Sequence, residues 1–144
     1  MTTRHGLEIC AADAVDAPGL AELLGGSAAA VAARLERMRV ERATVLLAVE
    51  WGPPSGLIVL HARQGLLADR PQGVVSALLV APDARRRGIG RLLLKAASQA
   101  ARMAGCGELV LAAPLGAEDL AAFCRATGFS PVETGFSRPL RKGG

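Results

Sequence analysis

The sequence predicts an α/β fold of the α+β type, in which helices pack against a mixed sheet within a single domain spanning residues 1–144. A length of 144 residues is that of one ordinary domain. Hydrophobic residues make up 51% of the chain and charged residues 21%, a balance typical of a globular domain and not of a disordered segment. Segments with strand and helix character follow in the order β-α-α-β-β-β-α-β-α-β, without an internal repeat or a low-complexity linker.

The first third of the chain predicts one strand and two helices. The segment LEICAA (7–12) has strand character, and Asp16 can cap a short helix with Pro18 in its first turn, which the glycines at 25–26 end. Ser27 can cap a second helix. In that helix, apolar side chains recur at helical spacing and arginines face outward: Val31, Leu35 and Met38, with Arg34, Arg37 and Arg39.

The middle of the chain predicts three strands. The apolar runs TVLLAVE (44–50) and SGLIVLHA (55–62) are separated by WGPP, whose glycine and prolines indicate a hairpin. A segment of ambiguous character (63–71) leads to GVVSALLV (73–80), which we expect to be a central strand.

The last part of the chain predicts a long helix, a strand, a second helix and a final strand region. The long helix is expected to end at GCG (105–107), and its expected buried face consists of Ile89, Leu92, Leu93, Ala96, Ala100 and Met103. ELVLAA (108–113) has strand character and AEDLAAFCRA (117–126) helix character. The segment 128–140 is predicted to be a strand region interrupted by Pro131.

Composition narrows the class of ligand and the compartment. The net charge is +4, and residues 85–95 hold five of the ten basic residues of the second half, so the positive charge is concentrated at one place. Aromatic residues are only 3% of the chain, which argues against the stacking surfaces of RNA and single-stranded DNA binders. Three irregularly spaced cysteines predict neither a zinc site nor a disulfide framework. The longest strongly apolar run, 43–49, is far shorter than the roughly 20 residues of a membrane span, and we expect a cytoplasmic protein.

The segment APDARRRGIGRLLLKAA (81–97) combines three arginines with two glycines directly before a predicted helix. The first amides of a helix are unpaired and lie at the positive end of its dipole, which favours anion binding. Gly88 and Gly90 have no Cβ atoms that would keep a phosphate away from these amides. Neither a Walker A loop nor a dinucleotide fingerprint fits, because the segment ends in Gly-Arg-Leu and position 93 is leucine.

The spacing R-x-x-G-x-G, formed by Arg85, Gly88 and Gly90 between a strand and an amphipathic helix, resembles the acyl-CoA pyrophosphate loop of the GNAT superfamily of N-acyltransferases. The element order and the ending AAFCRATGFSPVE also resemble that family, so the resemblance covers nearly the whole chain. It implies a central, mixed and mostly antiparallel sheet in which the strands at 73–80 and 108–113 splay apart and hold the cofactor between them.

The resemblance also implies which residues bind the co-substrate, acetyl-CoA, and it implies no metal. The pyrophosphate would contact the backbone amides of Arg86, Arg87, Gly88, Ile89, Gly90 and Arg91. The pantetheine arm would pair with the backbone of Leu78, Leu79 and Val80, as a strand does. The arginine side chains, including that of Arg85, would add positive charge near the phosphates.

Two catalytic positions depart from the family pattern. The resemblance places a carboxylate base early in the central strand and a tyrosine acid in the last helix, and here these positions are Val74 and Cys124. The Cys124 thiol could donate a proton in place of tyrosine, although a small apolar filler of the helix fits the same residue. Candidate bases are His61, Glu50, Glu133 and, as a holder of water, Ser76.

The function that the resemblance implies is transfer of an acetyl group to a primary amine of a small molecule or peptide, by direct attack in a ternary complex. Two alternatives stay open: an acyl-CoA-binding module without catalysis, and a nucleic-acid-binding domain that uses the arginines. The scarcity of aromatics, the local charge and the absence of a recognised DNA-binding motif disfavour nucleic acid as a partner, and the short apolar runs disfavour a membrane. The resemblance implies that exposed strand edges could pair two copies into a homodimer.

Overall fold

A computed structural model describes residues 3–4, 6–85, 87–112, 118–132 and 136–140, which belong to two compact units, 1–114 and 115–144. The first unit contains a six-stranded sheet in chain order, β1 (Thr3–Arg4), β2 (Leu7–Ala11), β3 (Thr44–Val49), β4 (Gly56–Arg63), β5 (Gln72–Val80) and β6 (Glu108–Leu111). Neighbouring strands from β1 to β5 are antiparallel, whereas β5 and β6 are parallel. The predicted mixed, mostly antiparallel sheet flanked by helices is confirmed.

The helices of the first unit are α1 (Ala17–Leu24), α2 (Ala28–Val40) and α3 (Ile89–Met103), with short 3-10 helices at Ala14–Asp16 and Pro82–Ala84. The second unit contains α4 (Glu118–Ala126). Each helix lies where the apolar periodicity predicts one. The strand β6 ends at Leu111, shorter than the predicted 108–113, and position 113 lies outside the described residues.

The two faces of the sheet have different helical partners. One face packs against α1 and α2 through a cluster of buried residues: Ala17, Leu20, Val31, Leu47, Leu57 and Val59. The other face packs against α3, and a Cβ atom built on Gly56 would lie only 3.1 Å from the Leu93 side chain and 3.2 Å from that of Ile89. Because side chains alternate along β4, Ile58 and Leu60 also point toward α3, and both are buried.

The buried stripe of α3 differs from the predicted one. The predicted stripe contained Met103, but Met103 is 90% exposed. The observed stripe consists of Ile89, Leu93, Ala97 and Ala101 on one i, i+4 row, with Leu94 beside it. Met103 follows Ala101 by two residues and therefore lies about 160° away around the helix, which puts it on the solvent side. Apolar periodicity predicted the position of the helix correctly but assigned its buried face to partly wrong residues.

The capping prediction was right for α2 and wrong for α1. Ser27 Oγ accepts a hydrogen bond from the Ala30 N–H at 3.1 Å, as predicted. Asp16 precedes α1 but does not cap it, because its carboxylate accepts the Asp13 N–H at 2.7 Å. Asp13 in turn caps the preceding 3-10 helix, accepting the Ala14 N–H at 2.7 Å, so the two aspartates form a reciprocal capping box one turn earlier than expected.

The predicted final strand region at 128–140 is not a strand in its described parts. Residues 129–132 and 136–140 have neither helical nor strand structure, and 133–135 lie outside the described residues. The segment begins with the end of α4, where Gly128 has a φ of 92° and the Phe129 N–H bonds to the Cys124 carbonyl at 2.8 Å. A left-handed glycine with this bond is a common helix ending, and it explains the Gly-Phe pair.

Candidate active site

The second half of β5 is paired on one side only. Its parallel ladder with β6 runs from Gln72 to Val75, beyond which the Ala112 N–H still bonds to the Val75 carbonyl at 2.9 Å. Its antiparallel ladder with β4 continues to Val80. Within the described part of the chain, the peptide groups from Ser76 to Val80 therefore have a strand neighbour only in β4. The predicted parting of the two strands is thus present after the fourth pair of the parallel ladder.

The peptide groups of Leu78 and Val80 face this open side of β5. The Ala81 N–H donates to the Ser55 carbonyl at 2.7 Å, so the amide of Ala81 points toward the β4 side. Peptide directions alternate along a strand, so Leu79 also turns toward β4 while its two neighbours turn away. The N–H and C=O groups of Leu79 are therefore not available to a ligand on the open side, and its exposed part is the side chain, which is 42% exposed.

A β-bulge marks the place where β5 leaves β6. Val59 of β4 pairs with Ala77 and Leu60 pairs with Val75, so Ser76 is the extra residue of β5. A bulge bends its strand and increases the local twist. The bend occurs directly after the last paired residue of the parallel ladder, which explains why the open side begins there.

The helix α3 starts without a side-chain cap among the described residues. Its N-cap is Gly88, in the left-handed conformation with φ 79° and ψ 10°. The first intrahelical bond runs from the Leu92 N–H to the Gly88 carbonyl at 3.1 Å. The amides of Ile89, Gly90 and Arg91 precede that bond and have no acceptor within the helix. Backbone geometry at this helix start therefore fits an anion such as a pyrophosphate.

Two of the loop arginines bind other parts of the protein. Arg85 Nε donates to the Val80 carbonyl at 3.3 Å, and Arg87 Nη2 lies 2.5 Å from Glu50 Oε1. The second contact is an ion pair, and its carboxylate oxygen, Glu50 Oε1, is buried. Arg86 lies outside the described residues. The guanidinium groups of Arg85 and Arg87 are thus engaged by the fold, whereas the amides of Ile89, Gly90 and Arg91 have no acceptor within the helix.

His61 and Ser76 meet on the face of the sheet that α1 and α2 cover. His61 Nε2 and Ser76 Oγ are 2.9 Å apart. Side chains two apart on a strand share a face, so His61 continues the row of Leu57 and Val59 beyond the helices. His61 is half-buried and Ser76 is exposed, and Val74 pairs directly with His61 across the two strands. The sequence indicated the two residues only separately, and the fold brings them together.

Cys124 lies in the second unit, near the end of α4. The thiol is half-buried, and burial raises its pKa above the usual value. A raised pKa keeps the thiol protonated at neutral pH, the form that a proton donor needs. Glu133, the other candidate near the C-terminus, lies outside the described residues.

A cleft of about 430 Å³ lies beside the loop that precedes α3. Its walls come from α1, from the turn between β3 and β4, and from the loop itself. Carboxylates and apolar groups both line it, including Glu22, Leu23, Glu50, Trp51, Asp83 and Arg87. No sequence pattern pointed to this cleft, because its walls are separated by tens of residues in the chain.

The residues that the structure describes contain neither a metal-binding cluster nor a membrane-spanning helix. In that part of the chain, no group of three or more His, Cys, Asp and Glu side chains could hold a metal ion. Among the helices described above, none combines the length and apolarity that a membrane crossing requires.

The chain belongs to the GNAT acetyltransferase family, because the model of that family matches residues 22–129. The match includes the open side of β5, the start of α3 and the Gly-Phe pair after α4. No curated protein sequence matches the chain.

Solved structures of acetyltransferases have the same fold. An acetyltransferase of Trypanosoma brucei is 22% identical, with a TM-score of 0.80 over 93% of this chain and 99% of that one. The ribosomal-protein-alanine N-acetyltransferase of Brucella melitensis is 21% identical, with a TM-score of 0.79 over 94% and 100%. AAC(6')-Iy, solved with the bisubstrate analogue CoA-S-monomethyl-acetylneamine, is 18% identical, with a TM-score of 0.79 over 94% and 99%.

Proposed function

We propose that this protein is an acetyl-CoA-dependent N-acetyltransferase that acetylates a primary amine of a small molecule or peptide by direct attack in a ternary complex. The proposal rests on one observation: two stretches of backbone with unpaired N–H and C=O groups follow each other closely in the chain. The open edge of β5 ends at Val80, and eight residues later the uncapped start of α3 follows at Gly88. Family membership supplies the reaction class, acyl transfer from an acyl-CoA.

In this proposal the two surfaces have separate tasks. The amides of Ile89, Gly90 and Arg91 would bind the pyrophosphate, because they are the unpaired donors at the positive end of α3. The peptide edges of Leu78 and Val80 would hold the pantetheine arm as a neighbouring strand would, which requires Arg85 to release the Val80 carbonyl. Binding along β5 then directs the acyl end toward the bulge at Ser76, about 13 Å from Val80 at the usual strand rise.

The chain's residues contribute mainly by positioning. When bound, the thioester supplies an acyl carbon that exchanges its C–S bond for a C–N bond, and the electron pair leaves on sulfur. The amide of Leu78, which faces the open side of β5, would polarise the acyl oxygen, as backbone donors do in oxyanion sites. Alignment of amine and thioester accounts for a large part of such rates. The Cys124 thiol would return a proton to the leaving sulfur. This role requires that residues 115–144 belong to the same domain as the sheet, as we also propose.

Relatives indicate two classes of acceptor. One structural neighbour is a ribosomal-protein-alanine N-acetyltransferase, and another, AAC(6')-Iy, was solved with the bisubstrate analogue CoA-S-monomethyl-acetylneamine. We therefore include free α-amines and amino sugars among the acceptors to be tested. Glu22 and Asp83 around the cleft beside α3 would attract cationic molecules in general, without selecting among them, whereas the charge of Glu50 is offset by Arg87.

The proposal is tested by thermal unfolding in the presence of acetyl-CoA, CoA, ATP or a short DNA duplex, each added separately. A ligand at about 100 times its Kd adds ~2.7 kcal/mol of stability, which shifts the melting temperature measurably. We expect shifts with acetyl-CoA and CoA only. A shift with DNA alone would overturn the proposal in favour of nucleic-acid binding.

Turnover is then measured as release of the CoA thiol with an α-amine peptide, an amino sugar and propylamine as acceptors. Acetyl-CoA-dependent release that requires one of the amines would support the enzyme. A melting shift with acetyl-CoA without turnover on the whole panel would instead favour the acyl-CoA-binding module.

A further inference from the structure

The contact between His61 and Ser76 lies where the proposed reaction would need a proton acceptor. Ser76 is the bulged residue at the point where β5 leaves β6, and it is exposed. Its hydroxyl is 2.9 Å from His61 Nε2, which sits half-buried behind it. A molecule approaching the bulge from the α1 and α2 side would therefore meet the hydroxyl of Ser76 before the imidazole.

An acceptor is needed because an amine attacks only in its neutral form. At pH 7 an α-amine with a pKa near 8 is mostly protonated, and a lysine-like amine with a pKa near 10.4 almost entirely so. The strand position at which the family resemblance expects a carboxylate is Val74, which cannot take a proton. Val74 pairs directly with His61, so the imidazole occupies the neighbouring strand at the same level of the sheet.

Arg63 is a cation on the same strand as His61, and the residue opposite His61 on β5 is not a carboxylate. Arg63, two residues further along β4, shares its face and donates to the Gln72 side chain at 3.0 Å. Gln72 donates in turn to Glu108 at 2.8 Å, which closes this polar row at the edge of the sheet. On β5, the residues opposite and adjacent are Val74 and Ser76, both uncharged. Ser76 is thus the polar partner that the fold gives to His61 Nε2.

We propose, on the basis of the function proposed above, that Ser76 and His61 form the proton relay of the transfer: Ser76 Oγ accepts a proton from the ammonium group of the acceptor as its own proton passes to His61 Nε2. The atoms balance, since the amine loses one proton, serine keeps one throughout, and the neutral imidazole becomes imidazolium. The neutral imidazole must carry its proton on Nδ1 so that Nε2 can accept. Ser76 is then the group that contacts the acceptor, and His61 acts through it.

The kinetic test compares Ser76→Ala and His61→Gln with the unmodified protein, using acetyl-CoA and an α-amine peptide. Each variant should lower kcat about 100-fold, as the loss of acid–base catalysis typically does, with the KM for acetyl-CoA unchanged within about twofold. The double variant should lose no more than either single one, because the two groups act as one unit. Ser76→Thr, which keeps the hydroxyl, should retain most of the activity. Ser98→Ala, the same chemical change at a half-buried position of α3, is the matched control.

The pH profile separates a relay from a structural role. With the relay intact, the pH–rate profile should contain a limb that depends on His61, and His61→Gln should remove that limb and leave a rate that follows the free amine alone. An unchanged limb in His61→Gln, or a Ser76→Ala variant that keeps more than half of kcat, would overturn the relay while the acetyltransferase stands. Absence of turnover by the unmodified protein would overturn the proposed function and the relay together.

A second measurement needs no turnover. The chain has two histidines, so His5→Gln leaves His61 as the single imidazole for ¹⁵N NMR. The relay requires the Nδ1–H tautomer in the folded protein, and Ser76→Ala should shift the tautomer balance. An Nε2–H tautomer, which would donate to Ser76 instead of accepting from it, contradicts the relay whatever the kinetics show.

Discussion

Arg87 and Glu50 form an ion pair, with 2.5 Å between Nη2 and Oε1, that joins the loop ahead of α3 to the turn between β3 and β4. The Glu50 side chain is only 18% exposed, whereas that of Arg87 is half exposed. A carboxylate held by a guanidinium is poorly suited to act as a general base. Glu50, a candidate base by sequence, is therefore better described as a brace for the loop whose amides we propose to bind phosphate.

Removing this brace should cost stability without altering the pH profile of turnover. We expect Glu50→Gln and Arg87→Gln each to lower the free energy of unfolding by about 1 kcal/mol at low salt, the upper part of the range for pairs with solvent access. The double variant should lose less than the sum, with a coupling of roughly 0.5–1 kcal/mol in urea unfolding. Additive losses, or a coupling unaffected by 1 M salt, would contradict the ion pair.

The two glycines at the start of α3 should respond in opposite ways to alanine. Gly90 lies within the helix, so Gly90→Ala should raise the stability of the ligand-free protein by about 0.5–1 kcal/mol. Gly88 has a φ of 79°, so Gly88→Ala should lower stability by ~1–2 kcal/mol. Both variants should weaken acetyl-CoA binding, measured by calorimetry, because both add a Cβ atom beside the unpaired amides.

The informative variant of the two is Gly90→Ala. A more stable protein with weaker acetyl-CoA binding separates a steric effect at the loop from general unfolding. Full affinity in both variants would mean that the phosphates bind elsewhere.

Arg42 occupies a conformation that favours glycine. It has a φ of 60°, and it follows α2 where the Ala43 N–H bonds to the Met38 carbonyl at 2.9 Å. This bond pattern is that of a Schellman ending, in which glycine is the usual left-handed residue. Arg42→Gly should therefore stabilise the protein by about 0.5–1 kcal/mol.

The control for this prediction is the same substitution inside the helix. Arg34 is exposed within α2, so Arg34→Gly should destabilise the protein by about 1 kcal/mol. Both are measured by thermal and urea unfolding. Two changes of the same sign would show that the left-handed conformation at Arg42 has no energetic role.

The proposed enzyme should prefer amines of low pKa. Val74 stands at the position of the usual carboxylate, and forming the neutral amine at pH 7 costs more free energy as the amine pKa rises, whether or not Ser76 and His61 take the proton. That cost is about 1 kcal/mol for an α-amine of pKa ~8 and about 4–5 kcal/mol for a lysine-like amine. Values of kcat/KM across a series of amines of similar size should fall as amine pKa rises. A flat or reversed ranking would contradict the prediction.

Local signals explain why the sequence predicted most of the elements. Apolar spacing placed α2 and α3, and Ser27 marked a helix start, because helix periodicity and capping act within a few residues. The same reasoning misassigned Asp16, which has a competing backbone partner at Asp13. It also put Met103 in the core, because alanines and leucines along α3 permit more than one apolar stripe.

The candidate site was predictable only where its chemistry is carried by consecutive residues. Arg85, Gly88 and Gly90 form one short pattern whose need for bare backbone can be read without a structure. His61 and Ser76 are 15 residues apart, and nothing in either segment fixes their register. One residue more or less in the pairing would turn either side chain to the other face.

By itself, the sequence determined the fold class, the position of the glycine loop before a helix, and the absence of a carboxylate at position 74, because each depends on residue identity or on neighbours in the chain. The tertiary structure decided where β5 leaves β6, which guanidinium braces Glu50, and that His61 lies against Ser76. These features depend on the bulge and on strand register, which emerge only when distant segments pack on common helices.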